Sequence, residues 1–121
     1  MKKILLVEDD VTLHDLYKEA LLPHGIELSA ATTGKEGVSL AITNPPDMAI
    51  LDIMLPGGIN GFDVAREIRL HPKTAGIPIL ILTNLDSERE SALAVKAEYL
   101  VKTNTPLEAV VQKIKEMLKI T

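Results

Sequence analysis

The stretch AILDIMLPGG, residues 49–58, continues an apolar run from Met48 that is interrupted by a single carboxylate, Asp52. A continuous apolar run of this kind is typical of a strand covered on both faces, as in a parallel sheet. Three other segments share this pattern, and a fourth, more alternating one fits an edge strand: residues 4–7, 77–82, 99–101 and 26–30, respectively. The chain therefore predicts five strands, one of which ends in an acid where burial disfavours a charge.

The segments between these runs show helical spacing of apolar residues and the signals of helix ends. Asp10 fits the cap of the first helix, and Pro23 with Gly25 closes that helix. The later helices are expected to start at capping residues: Thr33 with Glu36, Asn60, Ser87 with Glu90, and Thr105 with Pro106 and Glu108.

The resulting order is strand then helix, repeated five times, with short loops and no linker or low-complexity segment. This alternation predicts an α/β protein, because right-handed crossovers place helices on both faces of a parallel sheet. Five strands fit a three-layer (βα)5 sandwich of the flavodoxin-like type, with the strand order 2-1-3-4-5. We expect one domain over residues 1–121.

Composition excludes several classes of function. The formal net charge of −4 disfavours nucleic acid and anionic membranes as direct partners, and 2% aromatic residues leave no stacking platform for bases. The chain has no cysteine, which excludes disulfides and thiolate zinc sites. No apolar run approaches membrane-spanning length, and no basic, apolar leader pattern is present. We therefore expect a cytoplasmic domain with no membrane partner.

Polar side chains follow four of the predicted strands at their carboxyl ends. They are Glu8, Asp9 and Asp10 after strand 1, Asp52 after strand 3, Thr83 and Asn84 after strand 4, and Lys102 after strand 5. Ligands of open α/β sheets bind outside these ends, near the point where the strand order reverses. Because the four strands are neighbours in the order 2-1-3-4-5, we expect the polar groups to converge on one edge of the sheet.

Carboxylates gathered at one edge favour the binding of a cation. Two of them roughly 4 Å apart repel by about 4 kcal/mol at an effective dielectric of about 20, so they take up protons or recruit positive charge. Carboxylate oxygens suit octahedral Mg²⁺, and Lys102 adds a further cation. A divalent ion, a lysine and a hydroxyl around Asp52 would stabilise an incoming phosphoryl group, with Asp52 as the nucleophile that forms an acyl phosphate.

Taken singly, most of these residues also have a structural interpretation. Asp10 fits a helix cap, and Thr83 fits a turn residue. Lys102 could be a solvated strand end, and Tyr99 could simply fill the core. Three histidines share no predicted face and are expected to be surface residues without a metal: His14, His24 and His71. A set of polar groups at the same end of four adjacent strands nevertheless favours a site.

Five segments carry motifs in a fixed order: KILLVEDD (3–10), PDMAILDIMLPG (46–57), GFDVAREIR (61–69), IPILILTN (77–84) and EYLVK (98–102). Together they resemble the receiver domain of two-component response regulators, over essentially the whole chain. The resemblance implies that a phosphohistidine on a sensor histidine kinase, or on a phosphotransfer protein, is the phosphoryl donor. It also implies that the domain catalyses this transfer and then hydrolyses its own acyl phosphate. Met54 stands where aspartyl phosphohydrolases usually carry a second acid, so we expect no turnover of an external substrate.

The resemblance implies roles at the acceptor site. Asp52 matches the phospho-acceptor. Asp9, Asp52 and the Met54 backbone carbonyl match the ligands of Mg²⁺, with Glu8 acting through a coordinated water. Lys102 matches the lysine that pairs with the attached phosphoryl group.

The resemblance also implies a conformational switch. Thr83 matches the hydroxyl that bonds the attached phosphoryl group, and Tyr99 matches the aromatic that turns inward as the threonine moves. Phosphorylation would then repack the face formed by helix 4, strand 5 and helix 5. That face would contact a downstream protein, an output domain of the same protein, or a second copy in a homodimer.

The chain departs from the family pattern in several places. Asn84 follows Thr83 where a small residue is usual, and Thr103 follows Lys102 where proline is usual. We expect a trans bond before Thr103, because a cis bond without proline costs about 3–4 kcal/mol. The segment from Thr83 to Lys102 is shorter than usual, and the loop LPGGING (55–61) is expanded. These departures leave one alternative open: a degenerate receiver that acts as a protein-interaction module without phosphorylation.

Overall fold

A parallel five-stranded sheet separates two layers of helices in the computed structural model, which describes residues 1–120. Thr121, the last residue of the predicted domain, lies outside the described residues. The strands are β1 (Lys2–Val7), β2 (Ile26–Ala31), β3 (Met48–Leu51), β4 (Ile79–Thr83) and β5 (Glu98–Val101). The helices are α1 (Val11–Leu21), α2 (Gly34–Thr43), α3 (Gly61–Leu70), α4 (Arg89–Ala94) and α5 (Leu107–Leu118).

The strands pair in the order β2-β1-β3-β4-β5, all parallel, which confirms the predicted topology. Successive residues of a strand point to opposite faces, and both faces of the sheet are covered. In β1, Leu5 and Val7 pack with α2, α3 and α4, whereas Ile4 and Leu6 pack with α1 and α5. This double burial is the reason that the strands have continuous apolar sequences rather than alternating ones.

Backbone pairing brings the carboxyl ends of the central strands level with one another. Val7 is in register with Leu51, and Leu51 with Ile81. Beyond the strand end, the Asp52 N–H donates to the Val7 carbonyl at 3.0 Å, and the Glu8 N–H donates to the Ala31 carbonyl at 3.0 Å. The residues that follow β1 and β3 are therefore neighbours at one edge of the sheet.

Three of the predicted helix caps form. Asp10 accepts a hydrogen bond from the Thr12 N–H at the start of α1. Thr33 accepts from the Glu36 N–H before α2, and Asn60 forms a reciprocal capping box with Asp63 at the start of α3. Side-chain oxygens thus satisfy N–H groups that have no partner within the helix.

Two predicted helix starts are wrong. Helix α4 begins at Arg89, and Ser87 does not cap it, because the residue before the helix is Glu88, which makes no side-chain cap. Helix α5 begins one residue later than predicted: Pro106 is extended, with ψ 160°, and the Thr105 hydroxyl donates to the Val101 carbonyl at 2.8 Å. Thr105 thus stabilises the end of β5 rather than the helix.

One further expectation, a trans peptide bond before Thr103, is confirmed within residues 1–120. Every peptide bond there is trans, including the bond before Thr103. Of the helices in this range, none has the length and apolar character required to cross a lipid bilayer.

Candidate active site

Three carboxylates converge where β1 and β3 end. Oxygen atoms of Glu8, Asp9 and Asp52 all lie within 4.8 Å of one another, and we call these residues the acidic cluster. Glu8 and Asp52 are buried, whereas Asp9 is exposed. At 4.8 Å, two such charges repel by about 3 kcal/mol at an effective dielectric of about 20. The structure therefore brings together the three acids that were expected to meet.

Lys102 provides positive charge inside this group of acids. Its ammonium donates to Glu8 Oε1 and, at 2.9 Å, to Asp52 Oδ2. Burial lowers the pKa of the Lys102 ammonium, but the bonds and charges of Glu8 and Asp52 outweigh burial, so that its pKa lies above the ordinary value. Lys102 is therefore a stable cation that bridges two of the three acids.

Glu8 is the most buried acid of the cluster, with 3% of its surface exposed. Burial raises the pKa of its carboxyl above the usual range, and the hydrogen bonds from Lys102 and the Asp10 N–H counter this only in part. One oxygen thus faces Lys102 while the other accepts the Asp10 N–H at 3.2 Å. The side chain is held by both its charge partner and the backbone of α1's cap.

The loop after β3 fixes the position of Asp52. The Met54 N–H donates to Asp52 Oδ1 at 3.4 Å, and the Met54 side chain is exposed beside the cluster. Gly57 and Gly58 have φ values of 92° and 95°, so two residues free of a Cβ make the turn that follows. A Cβ on Gly61 would lie 2.1 Å from the Asp52 carbonyl oxygen, so only glycine allows α3 to start this close to the acid.

Thr83 and Tyr99 lie on the other side of the site, at β4 and β5. Thr83 is fully buried, and its hydroxyl oxygen accepts from the Leu85 N–H at 3.5 Å, a bond that leaves the hydroxyl proton uncommitted. The Tyr99 ring is buried in the core, its hydroxyl donates to the Leu85 carbonyl, and the Arg89 guanidinium lies 4.9 Å from the ring centroid. Both residues therefore contact the backbone of the segment that leads to α4.

Two residues at the site were missed at the sequence level. His14, expected to be an ordinary surface residue, is half-buried, and its Nε2 lies 2.5 Å from the Glu8 carbonyl oxygen. Its position four residues after the Asp10 cap, one turn into α1, was the available signal. Gly61 was quoted only as part of a motif, although its place directly after the Asn60 cap indicates where the helix approaches the β3 loop.

The donor set of the acidic cluster fits a divalent cation. Hard cations such as Mg²⁺ and Ca²⁺ bind carboxylate and carbonyl oxygens, and this cluster offers oxygens alone. One member, Asp9, is exposed, so an ion could reach the cluster from solvent while keeping part of its water shell. The arrangement can therefore gather a cation, a lysine and three acidic side chains around one point.

Comparisons with known proteins agree with this geometry. The family model described as the response regulator receiver domain matches residues 4–115. Protein PilH of Pseudomonas aeruginosa is 37% identical over 92 residues, which cover 74% of each chain. The transcriptional regulatory protein RstA of Escherichia coli is 34% identical over 109 residues, which cover 88% of this chain but only 44% of RstA. The chain thus spans less than half the length of that relative.

A solved structure extends the likeness to the whole fold. The response regulator TrrA of Thermotoga maritima, crystallised in complex with Mg²⁺-BeF, superposes with a TM-score of 0.82 at 35% identity. The superposition covers 97% of this chain and 99% of TrrA. With the family match over residues 4–115, these findings show that the chain belongs to the response regulator receiver domain family.

Proposed function

We propose that this receiver domain accepts a phosphoryl group on Asp52 in an Mg²⁺-dependent reaction. The donor would be a phosphohistidine on a sensor histidine kinase or on a phosphotransfer protein. One observation supports this function above all: Glu8, Asp9 and Asp52 converge within 4.8 Å, and Lys102 bridges Glu8 and Asp52. An isolated structural ion pair would need neither the third acid nor an approach from solvent.

The transfer is a displacement at phosphorus. An Asp52 carboxylate oxygen attacks, the new P–O bond forms, and the P–N bond to the donor imidazole breaks with its electron pair remaining on nitrogen. In the later hydrolysis of the acyl phosphate, a water oxygen attacks phosphorus, and the P–O bond to Asp52 breaks to release inorganic phosphate and the free carboxylate. Asp52 is the nucleophile in the first step and the leaving group in the second, so the domain acts on its own side chain rather than on an external substrate.

Mg²⁺ would be held by Asp9, Asp52 and the Met54 backbone carbonyl, with Glu8 bound through a water. When bound, the ion neutralises negative charge between the carboxylates and the phosphoryl oxygens. Lys102 has to exchange its 2.9 Å bond with Asp52 for a phosphoryl oxygen once Asp52 is modified. The Thr83 hydroxyl accepts a hydrogen bond from the Leu85 N–H, so its own proton is free to be donated. It then donates that proton in a hydrogen bond to the phosphoryl group.

The switch follows from these new contacts. Phosphorylation favours whichever conformation lets Thr83 and Lys102 contact the phosphoryl group, which shifts an existing two-state equilibrium. Tyr99 transmits this conformational change to the α4–β5–α5 face, because its hydroxyl donates to the carbonyl of Leu85, two residues beyond Thr83. The α4–β5–α5 face changes as a result, and it would contact a downstream protein, an output domain or a second copy. In this proposal the receiver domain comprises residues 1–121 and acts in the cytoplasm.

Acetyl phosphate with Mg²⁺ tests the central step. We expect a hydroxylamine-labile phosphoryl adduct on the wild-type protein by intact mass, and no adduct on Asp52→Asn or in EDTA. Asp86→Asn, an exposed acid beyond β4, is the matched control and should be modified like the wild type. An adduct that persists on Asp52→Asn would refute Asp52 as the acceptor. A wild-type protein that takes up no phosphoryl group would instead be a degenerate receiver that serves only as an interaction module.

A further inference from the structure

A groove of about 900 Å³ lies at the amino end of β4, at the edge of the sheet opposite the acidic cluster. Its floor is apolar and combines residues from both helical layers: Ile77, Pro78, Val95 and Met117. The C-terminal ends of α3, α4 and α5 surround it. We call this feature the basal groove. Its volume falls in the range of sites that bury a ligand.

The rim of the basal groove is cationic. Arg66, Arg69, Lys96 and Lys119 line it, and among the lining residues in the described part of the chain none is acidic. Lys96 and Lys119 are exposed and stand just beyond the ends of α4 and α5. The lining of the groove is thus positively charged, although the chain as a whole has a net charge of −4. Charge complementarity indicates an anionic occupant.

The walls of the groove are held in place before any ligand arrives. The Arg69 guanidinium donates to the carbonyls of Ala75, Ile77, Val95 and Lys96, which ties the loop before β4 to the turn after α4. The buried Thr74 hydroxyl donates to the Ile68 carbonyl at 2.7 Å in the same loop. A wall fixed in this way loses little conformational freedom when a ligand binds.

Because Arg69 is committed to carbonyls, the charge that faces a ligand comes from the other three cations. Arg66 also pairs with Asp63 at 2.6 Å, which offsets its charge, so Lys96 and Lys119 contribute most. Leu70, with 76% of its surface exposed, adds an apolar contact at the lip. These features combine an apolar floor with two separated positive charges.

We propose that the basal groove binds an acidic, amphipathic segment of a partner protein. Apolar side chains of the segment would fill the floor between α3 and α4, and its acidic side chains would pair with Lys96 and Lys119. Helix-in-groove recognition uses this combination of apolar anchors and flanking charge. The groove lies at the opposite sheet edge from Asp52. Binding can therefore be measured on the unphosphorylated protein in EDTA, independently of the phosphoryl chemistry.

The test uses a fluorescein-labelled synthetic helical peptide with glutamates on one face and leucines on the other. We expect saturable binding by fluorescence anisotropy, with amide shifts in ¹⁵N spectra confined to the lining of the groove. The double variant Lys96→Glu/Lys119→Glu should bind about tenfold more weakly, since two favourable charge contacts become repulsive. Lys2→Glu/Lys18→Glu carries the same change in net charge on β1 and α1 and should bind like the wild type.

A second pair of variants tests the apolar contact without touching the core. Leu70→Ser should weaken peptide binding, whereas Leu93→Ser, equally exposed on α4 but outside the groove, should not. Circular dichroism and ¹⁵N spectra establish that each variant is folded. No binding by the wild type, equal binding by the two lysine double variants, or tighter binding of a lysine-for-glutamate peptide would overturn the proposal. Decanoate that binds in the groove when the peptide does not would also overturn it, in favour of a site for small amphiphilic anions.

Discussion

At the scale of single residues, burial and charge oppose each other at Glu8. The carboxyl is buried, and burial raises its pKa despite the hydrogen bond from Lys102. A group with a higher pKa in the folded chain contributes stability that is present below its unfolded pKa and is lost as pH rises through its folded pKa. In the metal-free protein, Glu8 thus stabilises the fold in acid and loses that contribution as pH rises.

Glu8→Gln should therefore gain free energy of unfolding relative to the wild type as pH rises from about 4 to about 8, by about 1.4 kcal/mol for each unit by which folding raises the pKa of Glu8. Glutamine keeps the shape of the side chain, and Lys102 keeps its bond with Asp52. Urea titrations in EDTA at several pH values measure this difference.

Asp63 provides a control of opposite sign. The Asn60 backbone N–H, and then Arg66, lower the pKa of the Asp63 carboxyl, so its contribution is present above the unfolded pKa and lost as pH falls through the folded one. The free energy of unfolding of Asp63→Asn should therefore fall relative to that of the wild type as pH rises out of the acid range. A pH-independent difference for Glu8→Gln would contradict the assignment of a raised pKa to Glu8.

The acids of the site could be predicted from the sequence because strand ends and strand order alone determine that they meet. Glu8 and Asp52 each follow an apolar run, and the order 2-1-3-4-5 makes those runs neighbours. Gly61 and His14 could not be found this way, because their roles depend on the path of a loop and the rotation of a helix. A Cβ at Gly61 meets the Asp52 carbonyl only after the β3 loop has folded back.

At the scale of elements, the strands were easier to predict than the starts of α4 and α5. Strands covered on both faces have a simple apolar pattern, whereas a cap depends on competition among nearby hydrogen-bond partners. Thr105 had the sequence of a cap, but its hydroxyl bonds the Val101 carbonyl instead. At α4, the Ser87 and Glu90 spacing was present, but the helix starts at Arg89, beyond both the serine and Glu88.

Arg69 connects α3 to the loop that follows it and to the turn after α4, which lies 26 to 27 residues further along the chain. Its guanidinium bonds carbonyls of the loop before β4 and of the turn between α4 and β5. Arg69→Met keeps the aliphatic stem but leaves these carbonyls without their donor. We expect a loss of about 2–4 kcal/mol in the free energy of unfolding, because each hydrogen bond to a charged donor contributes about 1 kcal/mol or more.

Arg66→Met is the matched control for this measurement. Arg66 lies one turn earlier on α3, is exposed, and pairs only with the neighbouring Asp63 among its described partners. Its replacement should change the free energy of unfolding by about 0.5 kcal/mol or less, as for other surface ion pairs. Equal losses for the two variants in urea titrations would show that the bonds of Arg69 to the carbonyls add nothing beyond a surface charge.

At the scale of the whole molecule, the sheet separates two surfaces of opposite sign. The acidic cluster lies where β1 and β3 end, and the basal groove lies where β4 begins. Repulsion between Asp52 and the two other acids is present only in the folded chain, because only folding brings Asp52 within 4.8 Å of Glu8 and Asp9. A divalent cation should therefore bind the folded state in preference to the unfolded one.

Mg²⁺ should consequently raise the melting temperature of the protein. A ligand at ten times its Kd stabilises the folded state by about 1.4 kcal/mol, which corresponds to about 3–8 °C for a domain of this size. Asp9→Asn should lose most of this shift because it removes one of the three negative charges of the acidic cluster and leaves a neutral amide in its place. Asp10→Asn removes the same charge one residue away, and asparagine can still cap α1, so its shift should match the wild type. Differential scanning calorimetry measures the shift, and NaCl of equal ionic strength separates ion binding from screening. A shift that NaCl reproduces, or one that Asp9→Asn retains, would refute a cation site at the acidic cluster.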